Sequence, residues 1–419
     1  MFQRLATFGL FGCLLMAAGC DSTGESTPSS SADEFDAAAN SEVEDLEIER
    51  ASEDVIAGQR AFGIELLQHT YHEDENTLIS PLSIQMALAM TMNGAAGDTK
   101  ADMADVMHVD SEEIDAVNET MQVLISQANA TEETVFALAN TIWHQQGREV
   151  NEELTDTVSR HYGAEIESTN FSDEGTLDEI NSWVEQQTGG MIEELLIDLD
   201  PSTVMLLVNA LYFQGDWQLP FDSSQTTEQE FETASGAMAD VEMMKEEDTF
   251  PLAETETFTA VEMPYGEDKA FSMLALLPHE DQDIEDMKAE LVDGNWSFLD
   301  EFTMEDFQLE FPKFTTKTNK NLNEPLKALG MEVPFAESEA EFPHLVAEEG
   351  DPLYISEVEH GTKINVNEKG TEAGAATSVA MDEDEPAKAI TFDRPFLLAL
   401  VENELKAPLF LGTVQNPTR

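Results

Sequence analysis

The chain predicts an α+β domain. Helix-like segments dominate its first half, strand-like apolar runs dominate its second, and no internal repeat links them. In chain order, Ser80 can cap a helix whose first turn holds Pro81. Its apolar positions run through Ile84, Met86, Ala87, Leu88 and Met90 to a stop at Asn93-Gly94. Leu154 to Tyr162 and Leu177 to Leu196 also read as helices. Met205 to Phe213, Phe271 to Leu277, Phe396 to Val401 and Pro408 to Val414 are apolar runs of strand length.

The first fifty residues read differently. Arg4 precedes an apolar run from Leu5 to Ala18 that ends in small residues and is too short for a stable spanning helix. Residues 1–19 therefore read as a cleaved export signal. Ala17-Ala18-Gly19-Cys20 resembles the bacterial lipobox, whose cysteine is lipidated and becomes the new N-terminus. Position 17 is Ala where Leu is more usual, and an ordinary signal peptide with an incidental Cys20 is the alternative. Residues 20–50 are rich in Ser, Thr, Ala and acids and lack the apolar content for a core, so they read as a disordered acidic tether. Residues 51–419 are left as the folded domain. The chain's two cysteines, Cys13 and Cys20, both precede it, so it has no thiol, no disulfide and no cysteine metal site.

Charge narrows the partners. The chain carries 87 Asp and Glu against 19 Lys and Arg, a formal charge of −68. The acidity is spread along the whole length, which suits a halophilic surface solvated in high salt better than a patch for a basic partner. Without a basic stripe, nucleic acid and sulfated polysaccharides are not expected partners.

Catalytic chemistry is not evident. There is no helical pair of histidines around a Glu, no phosphate loop with its Lys and no nucleophile elbow. Asn93 to Lys100 is Gly-rich but has the wrong lysine spacing, and reads as a helix terminus. The eight histidines are scattered, and acid pairs are too common to single out. No cofactor and no metal are expected.

The stretch from Glu368 to Ala380 is the informative one. Between Glu372 and Met381 it carries no charge. With period two, one face holds Thr371, Ala373, Ala375, Thr377, Val379 and Met381, and the other holds Glu372, Gly374, Ala376, Ser378 and Ala380. Such a segment can form a strand yet gains little from it, because Gly and Ala are poor strand formers. It can be a loop in one state and a strand in another; a plain Ala/Gly linker is the alternative.

Its flanks resemble the serpin family. Glu368-Lys369-Gly370-Thr371-Glu372-Ala373 is similar to the proximal hinge of a serpin reactive-centre loop. Asp393-Arg394-Pro395-Phe396 and Leu409 to Pro417 resemble the family's C-terminal signature. Asn76 to Ile84, Asn209 to Trp217, Phe311 to Phe314 and Leu322 to Met331 match further family blocks, in order, from about Ala51 to Arg419. The resemblance implies the serpin fold: a large central, mostly antiparallel sheet, two further sheets, about eight or nine helices and an exposed loop. It also implies suicide inhibition of a serine or cysteine protease, through a covalent acyl complex and insertion of the cleaved loop as a new strand, in a monomeric protein.

Site residues follow from the same resemblance. Glu368, Gly370, Thr371, Ala373, Gly374, Ala375, Ala376 and Thr377 form the loop hinge. Ser80, Ser83, Asn209 and His360 match a polar network under the centre of the main sheet. Such a network can exchange hydrogen-bond partners where two strands must part. The alternative gives Ser80 the role of a cap and leaves His360 on an exposed strand. The family's spacing from Gly370 puts the bait residue at Asp384 and the cut before Glu385, for an acid-preferring protease. Met381, cut before Asp382, is the alternative for a protease with an apolar pocket. Two rival functions stay open: a serpin-fold surface protein that does not inhibit, and a lipid-anchored binding protein.

Overall fold

Side-chain caps set the first helices. Ser52 accepts a bond from the Val55 N–H and opens α1 (Glu53–Thr70). After β1 (Thr77–Ile79), Ser80 accepts from the Ser83 N–H and, with Pro81 in the first turn, opens α2 (Pro81–Met92). All of α2 is buried, including Ser83, Gln85 and Thr91. A helix enclosed on every side belongs to the interior of a fold, and α2 lies in the main core between the two sheets. The computed structural model describes residues 43, 46–73, 75–131, 133–292, 296–346, 353–371 and 388–419. Cys20, most of the tether, Ala373, Gly374, Ala375, Ala376, Thr377, Met381, Asp382, Asp384 and Glu385 lie outside the described residues.

The chain continues through α3 (Gly97–Val106), α4 (Ile114–Asn129), β2 (Thr134–Gln145), α5 (Glu152–Tyr162), β3 (Glu165–Thr169), α6 (Thr176–Gln187) and β4 (Met205–Asp216). Then come β5 (Thr227–Glu232), β6 (Met238–Glu254), β7 (Phe258–Pro264), β8 (Phe271–Pro278), α7 (Ile284–Leu291), β9 (Thr303–Pro312), β10 (Phe314–Asn321) and α8 (Asn323–Ala328). The last strands are β11 (Glu357–Asn367), β12 (Gly370–Thr371), β13 (Ala389–Thr391), β14 (Phe396–Glu402) and β15 (Ala407–Val414). The expected α+β class is present.

The central sheet is six-stranded and mixed, in the order β10-β11-β12-β4-β2-β3. Below β12, β11 and β4 pair directly and in parallel, from Glu357 opposite Leu206 to Lys363 opposite Tyr212. The remaining strands form one nine-stranded sheet. The two further sheets of the expected fold are continuous there because β6, 17 residues long, pairs in turn with β5, β9 and β7.

The segment expected as a helix from Leu177 to Leu196 is helical only to Gln187. Gly189 and Gly190 take positive φ angles that end it, and the Thr188 hydroxyl bonds back to Val184 O. The chain then runs as a strap across the outer face of the central sheet. Ile192, Leu195 and Leu196 pack with Leu206, Val208 and Ala210 of β4. Asn181 Oδ1 accepts from the Leu195 and Leu196 N–H groups, and Asn319 Nδ2 donates to Glu194 O at 2.6 Å.

Candidate functional site

Beyond Tyr212 and Lys363 the two central strands separate, and the hinge fills the gap. After Asn367 the chain turns at Glu368 and Lys369 and returns as β12. Gly370 lies between Asp216 and Asn367, and Thr371 between Gly215 and Val366, antiparallel to both neighbours. Glycine is required at 370, because a Cβ there would collide with the Gly215 carbonyl oxygen. The turn is held from the β4 side. Trp217 N–H donates to Lys369 O at 2.7 Å, Phe221 N–H to Glu368 O at 2.7 Å, and Trp217 Nε1 to Asn367 O at 2.9 Å. Glu368 accepts from the Thr226 hydroxyl at 2.8 Å and pairs with Lys313 at 3.3 Å. Burial works to raise the Glu368 carboxyl, but its hydrogen bonds and Lys313 outweigh this and hold it below the usual carboxylate range.

Thr371 is fully buried, and its Oγ1 lies 2.8 Å from the Tyr265 hydroxyl. Tyr265 stacks on Trp217 at 4.4 Å and meets Phe213 edge-on at 4.9 Å. Complete burial pushes the Tyr265 phenol up, so it stays neutral and can donate or accept. The hinge is therefore latched by one buried hydroxyl pair and by main-chain bonds to the strand end that follows it.

Further down the same seam lies a polar rung. Asn140 of β2 pairs with Asn209 of β4, and Asn209 with His360 of β11. The start of α2 brings Ser80 and Ser83 to the same place. All five side chains are buried. Ser80 N–H donates to His360 Nε2 at 3.0 Å, so that nitrogen must be bare. Nδ1 then carries the proton and donates to Asn209 Oδ1. Asn209 Nδ2 donates to Ser83 Oγ and to Asn140 Oδ1, and Ser83 Oγ donates to Asn140 Oδ1 at 3.3 Å. Burial pushes His360 down to about 3, which keeps the ring neutral and this single tautomer in place.

The structure thus brings Ser80, Ser83, Asn209 and His360 together, and puts Glu368, Gly370 and Thr371 at the top of their seam. Ser80 is both a helix cap and a member of the rung. Asn140 was missed by sequence reasoning. Its signal is an Asn-Thr pair inside the otherwise apolar run from Phe136 to Trp143, much as Asn209 interrupts the apolar run from Met205 to Phe213. Asn140 Nδ2 is buried with no hydrogen-bond partner. Among the described residues no group of three or more His, Cys, Asp or Glu side chains could hold a metal ion.

A family model described as serpin (serine protease inhibitor) matches residues 57–417. The chain belongs to the serpin family. An uncharacterized serpin-like protein of Thermococcus kodakarensis is 32% identical over 379 residues, 87% of this chain and 86% of that one. The leukocyte elastase inhibitor of Bos taurus is 31% identical over 382 residues, 87% of this serpin and 100% of the bovine protein. The native-state crystal structure of tengpin, a thermophilic serpin, superposes with a TM-score of 0.82 at 31% identity, covering 90% of this serpin and 97% of tengpin.

Proposed function

We propose that this serpin is a suicide inhibitor of serine proteases, with cysteine proteases as the second class of target. The observation that carries the reading is the closed seam with the hinge already seated at its upper end. β4 and β11 pair directly below, and β12 has entered between them above. If the chain beyond Thr371 continued in that register, Ala373 would come between Phe213 and Ile364, and Ala375 between Leu211 and Thr362. Thr377 would then come between Asn209 and His360, and Val379 between Leu207 and Val358. Those rungs face the core, and small residues suit them.

The chemistry is a diverted hydrolysis. The protease nucleophile adds to the Asp384 carbonyl, the Asp384–Glu385 peptide bond breaks, and Glu385 leaves with a new amino terminus. The protease stays esterified (or thioesterified) to Asp384. Insertion of the freed strand distorts its active site before water can release it. A strand of about a dozen residues, at roughly 1 kcal/mol net per hydrogen bond, releases on the order of 10 kcal/mol. The uninserted state is held by a kinetic barrier. Ser80, Ser83, Asn209 and His360 are the groups that must exchange partners as the seam opens. The same reading puts a lipid on Cys20 that ties the protein to the cell envelope.

The test is a melting curve before and after cleavage of the loop, together with a protease panel scored for SDS-stable complexes. A large rise in melting temperature after cleavage is expected, with a released peptide that starts at Glu385. A peptide that starts at Asp382 moves the bait to Met381. An unchanged melting temperature indicates a non-inhibitory serpin or a binding protein. Thr371→Arg should turn the inhibitor into a substrate, because its charge would be buried under the sheet at a cost of several kcal/mol. Cys20→Ser should release the protein from membranes.

A further inference from the structure

The strap ties the two sides of the β4–β11 seam together from outside. Its apolar side chains rest on the β4 side, where Ile192, Leu195 and Leu196 pack with Leu206, Val208 and Ala210. Its main chain is fixed on that side by α6, which packs on β2. Asn181 Nδ2 donates to Leu196 O at 2.9 Å, and Asn181 Oδ1 accepts from the Leu195 and Leu196 N–H groups. The strap then lies over Gly361 of β11 and reaches β10. There Asn319 Nδ2 donates to Glu194 O at 2.6 Å, and Lys317 Nζ lies 3.5 Å from the same oxygen. Asn319 stands opposite Gly361, and Gly361 pairs across the seam with Ala210. The Asn319 bond therefore crosses the seam one residue above the His360–Asn209 rung.

We infer that Asn319 is a positioning residue for loop insertion: its bond to the strap staples the seam shut, and a strand enters past this level only once that bond has broken. The inference rests on the proposed insertion. β10 and β11 are paired from Phe314 opposite Val366 to Asn321 opposite Glu359, so they move together. Admitting a strand between β4 and β11 carries them away from β4 by about 4.8 Å, one strand spacing. A hydrogen bond does not survive that displacement. The Asn319 end yields before the Asn181 end, because Asn181 makes three bonds to the strap and the apolar contacts lie on its side of the seam. Removing the Asn319 amide thus weakens the closed seam and leaves the open one unchanged, which speeds opening. Thr315 gives the contrast. Its Oγ1 donates to Asn365 Oδ1 at 3.1 Å, within the β10–β11 pair, so that bond is kept whether the seam is closed or open.

The probe is a fluorescein-labelled synthetic peptide of residues 373–380, offered to the intact chain, with uptake followed by fluorescence anisotropy. Asn319→Ala should take it up about two- to fivefold faster than the parent, the factor for one exposed hydrogen bond lost from the closed state only. Thr315→Ala should take it up at the parent's rate. A role limited to holding β10 in place would instead move both variants alike. Melting curves before and after loop cleavage check insertion separately. If cleavage raises the parent's melting temperature while Asn319→Ala and the parent take up peptide equally fast, the staple is overturned and the inhibitory reading stands. Equal acceleration by Thr315→Ala overturns the staple in the same way. No uptake by any of the three chains overturns it too, and an unchanged melting temperature after cleavage then takes the inhibitory reading with it.

Discussion

Gly370 and His360 each depend on a single atom. At Gly370 the missing Cβ lets the backbone approach Gly215, so Gly370→Ala should push the hinge out from between β4 and β11. Hydrogen exchange at the Trp217 and Phe221 amides should then accelerate, with a stability loss of about 1–3 kcal/mol. Amides as protected as in the parent chain would show that the hinge tolerates the methyl group. His360 and its neighbour Glu359 give the fold two opposing pH responses. His360 sits at about 3 when folded and near 6.5 when unfolded. The unfolded chain therefore binds the extra proton between those values, and stability falls as pH drops from 6.5 toward 3. Glu359 runs the other way. Burial, with Glu357 and Asp198 adding repulsion, raises it to about 7 against the Asn321 hydrogen bond. The folded chain holds that proton between about 4.5 and 7, so stability falls as pH rises through that window. Glu359→Gln should therefore stabilise the protein at pH 8 by on the order of 1 kcal/mol, given partial solvent screening. Denaturant titrations at pH 8 and pH 5 check this, and equal stability of variant and parent at pH 8 defeats it.

Elements differed in how plainly the sequence announced them. α2 was legible because a serine cap, a first-turn proline and an Asn-Gly stop bracket an apolar run. β4, β8, β14 and β15 were legible as runs buried along their length. β11 alternates except at the buried Gly361, yet its inward positions include His360 and Thr362 beside Val358, Ile364 and Val366, so its apolar signal is weak. β10 has the same difficulty, with Thr316 and Thr318 inward. Four of the five rung residues were reached through family motifs, whereas no motif covered Asn140. The end of α6 was misjudged because Ile192, Leu195 and Leu196 keep a helix-like spacing while packing as a strap. The strap meets β11 at Gly361, where an added Cβ would lie 2.7 Å from Leu195 Cδ1. Gly361→Ala should lift it, at a cost of about 1–3 kcal/mol. Faster exchange at the Leu195 and Leu196 amides is the expected sign, and protection equal to the parent's would remove the strap from the account.

The whole molecule carries its acidity everywhere, and that sets how it responds to its solvent. With a formal charge of −68, repulsion acts between many exposed carboxylates in the folded state. The screening length falls from about 10 Å at 0.1 M salt to about 3 Å at 1 M, short enough to uncouple most surface charges. The unfolding midpoint should rise by several degrees across that range, and the rise should level off once the screening length is below the spacing between neighbouring acids. A midpoint that does not move with salt would show that the acids are already compensated within the fold.

The seam between β4 and β11 behaves as a crack whose tip has already been cut. Fracture of an intact sheet needs a first break, and here Gly370 and Thr371 have made it. From the tip, advance severs one direct pairing at a time: Lys363 with Tyr212, Thr362 with Leu211, Gly361 with Ala210. Under the proposed insertion, each severed pairing would leave two strand edges for the incoming chain to bind, so the run would be downhill until the tip reached His360 and Asn209. There the tear meets side chains that hold each other as well as backbones that do, and the strap crosses the outer face beside it at Gly361. Under the proposed insertion that rung is the slowest step, with Ala375 seated before Thr377. Weakening it by Ser83→Ala should lower the number of inhibitor molecules consumed per trapped protease, whereas an unchanged stoichiometry would remove the rung from the rate.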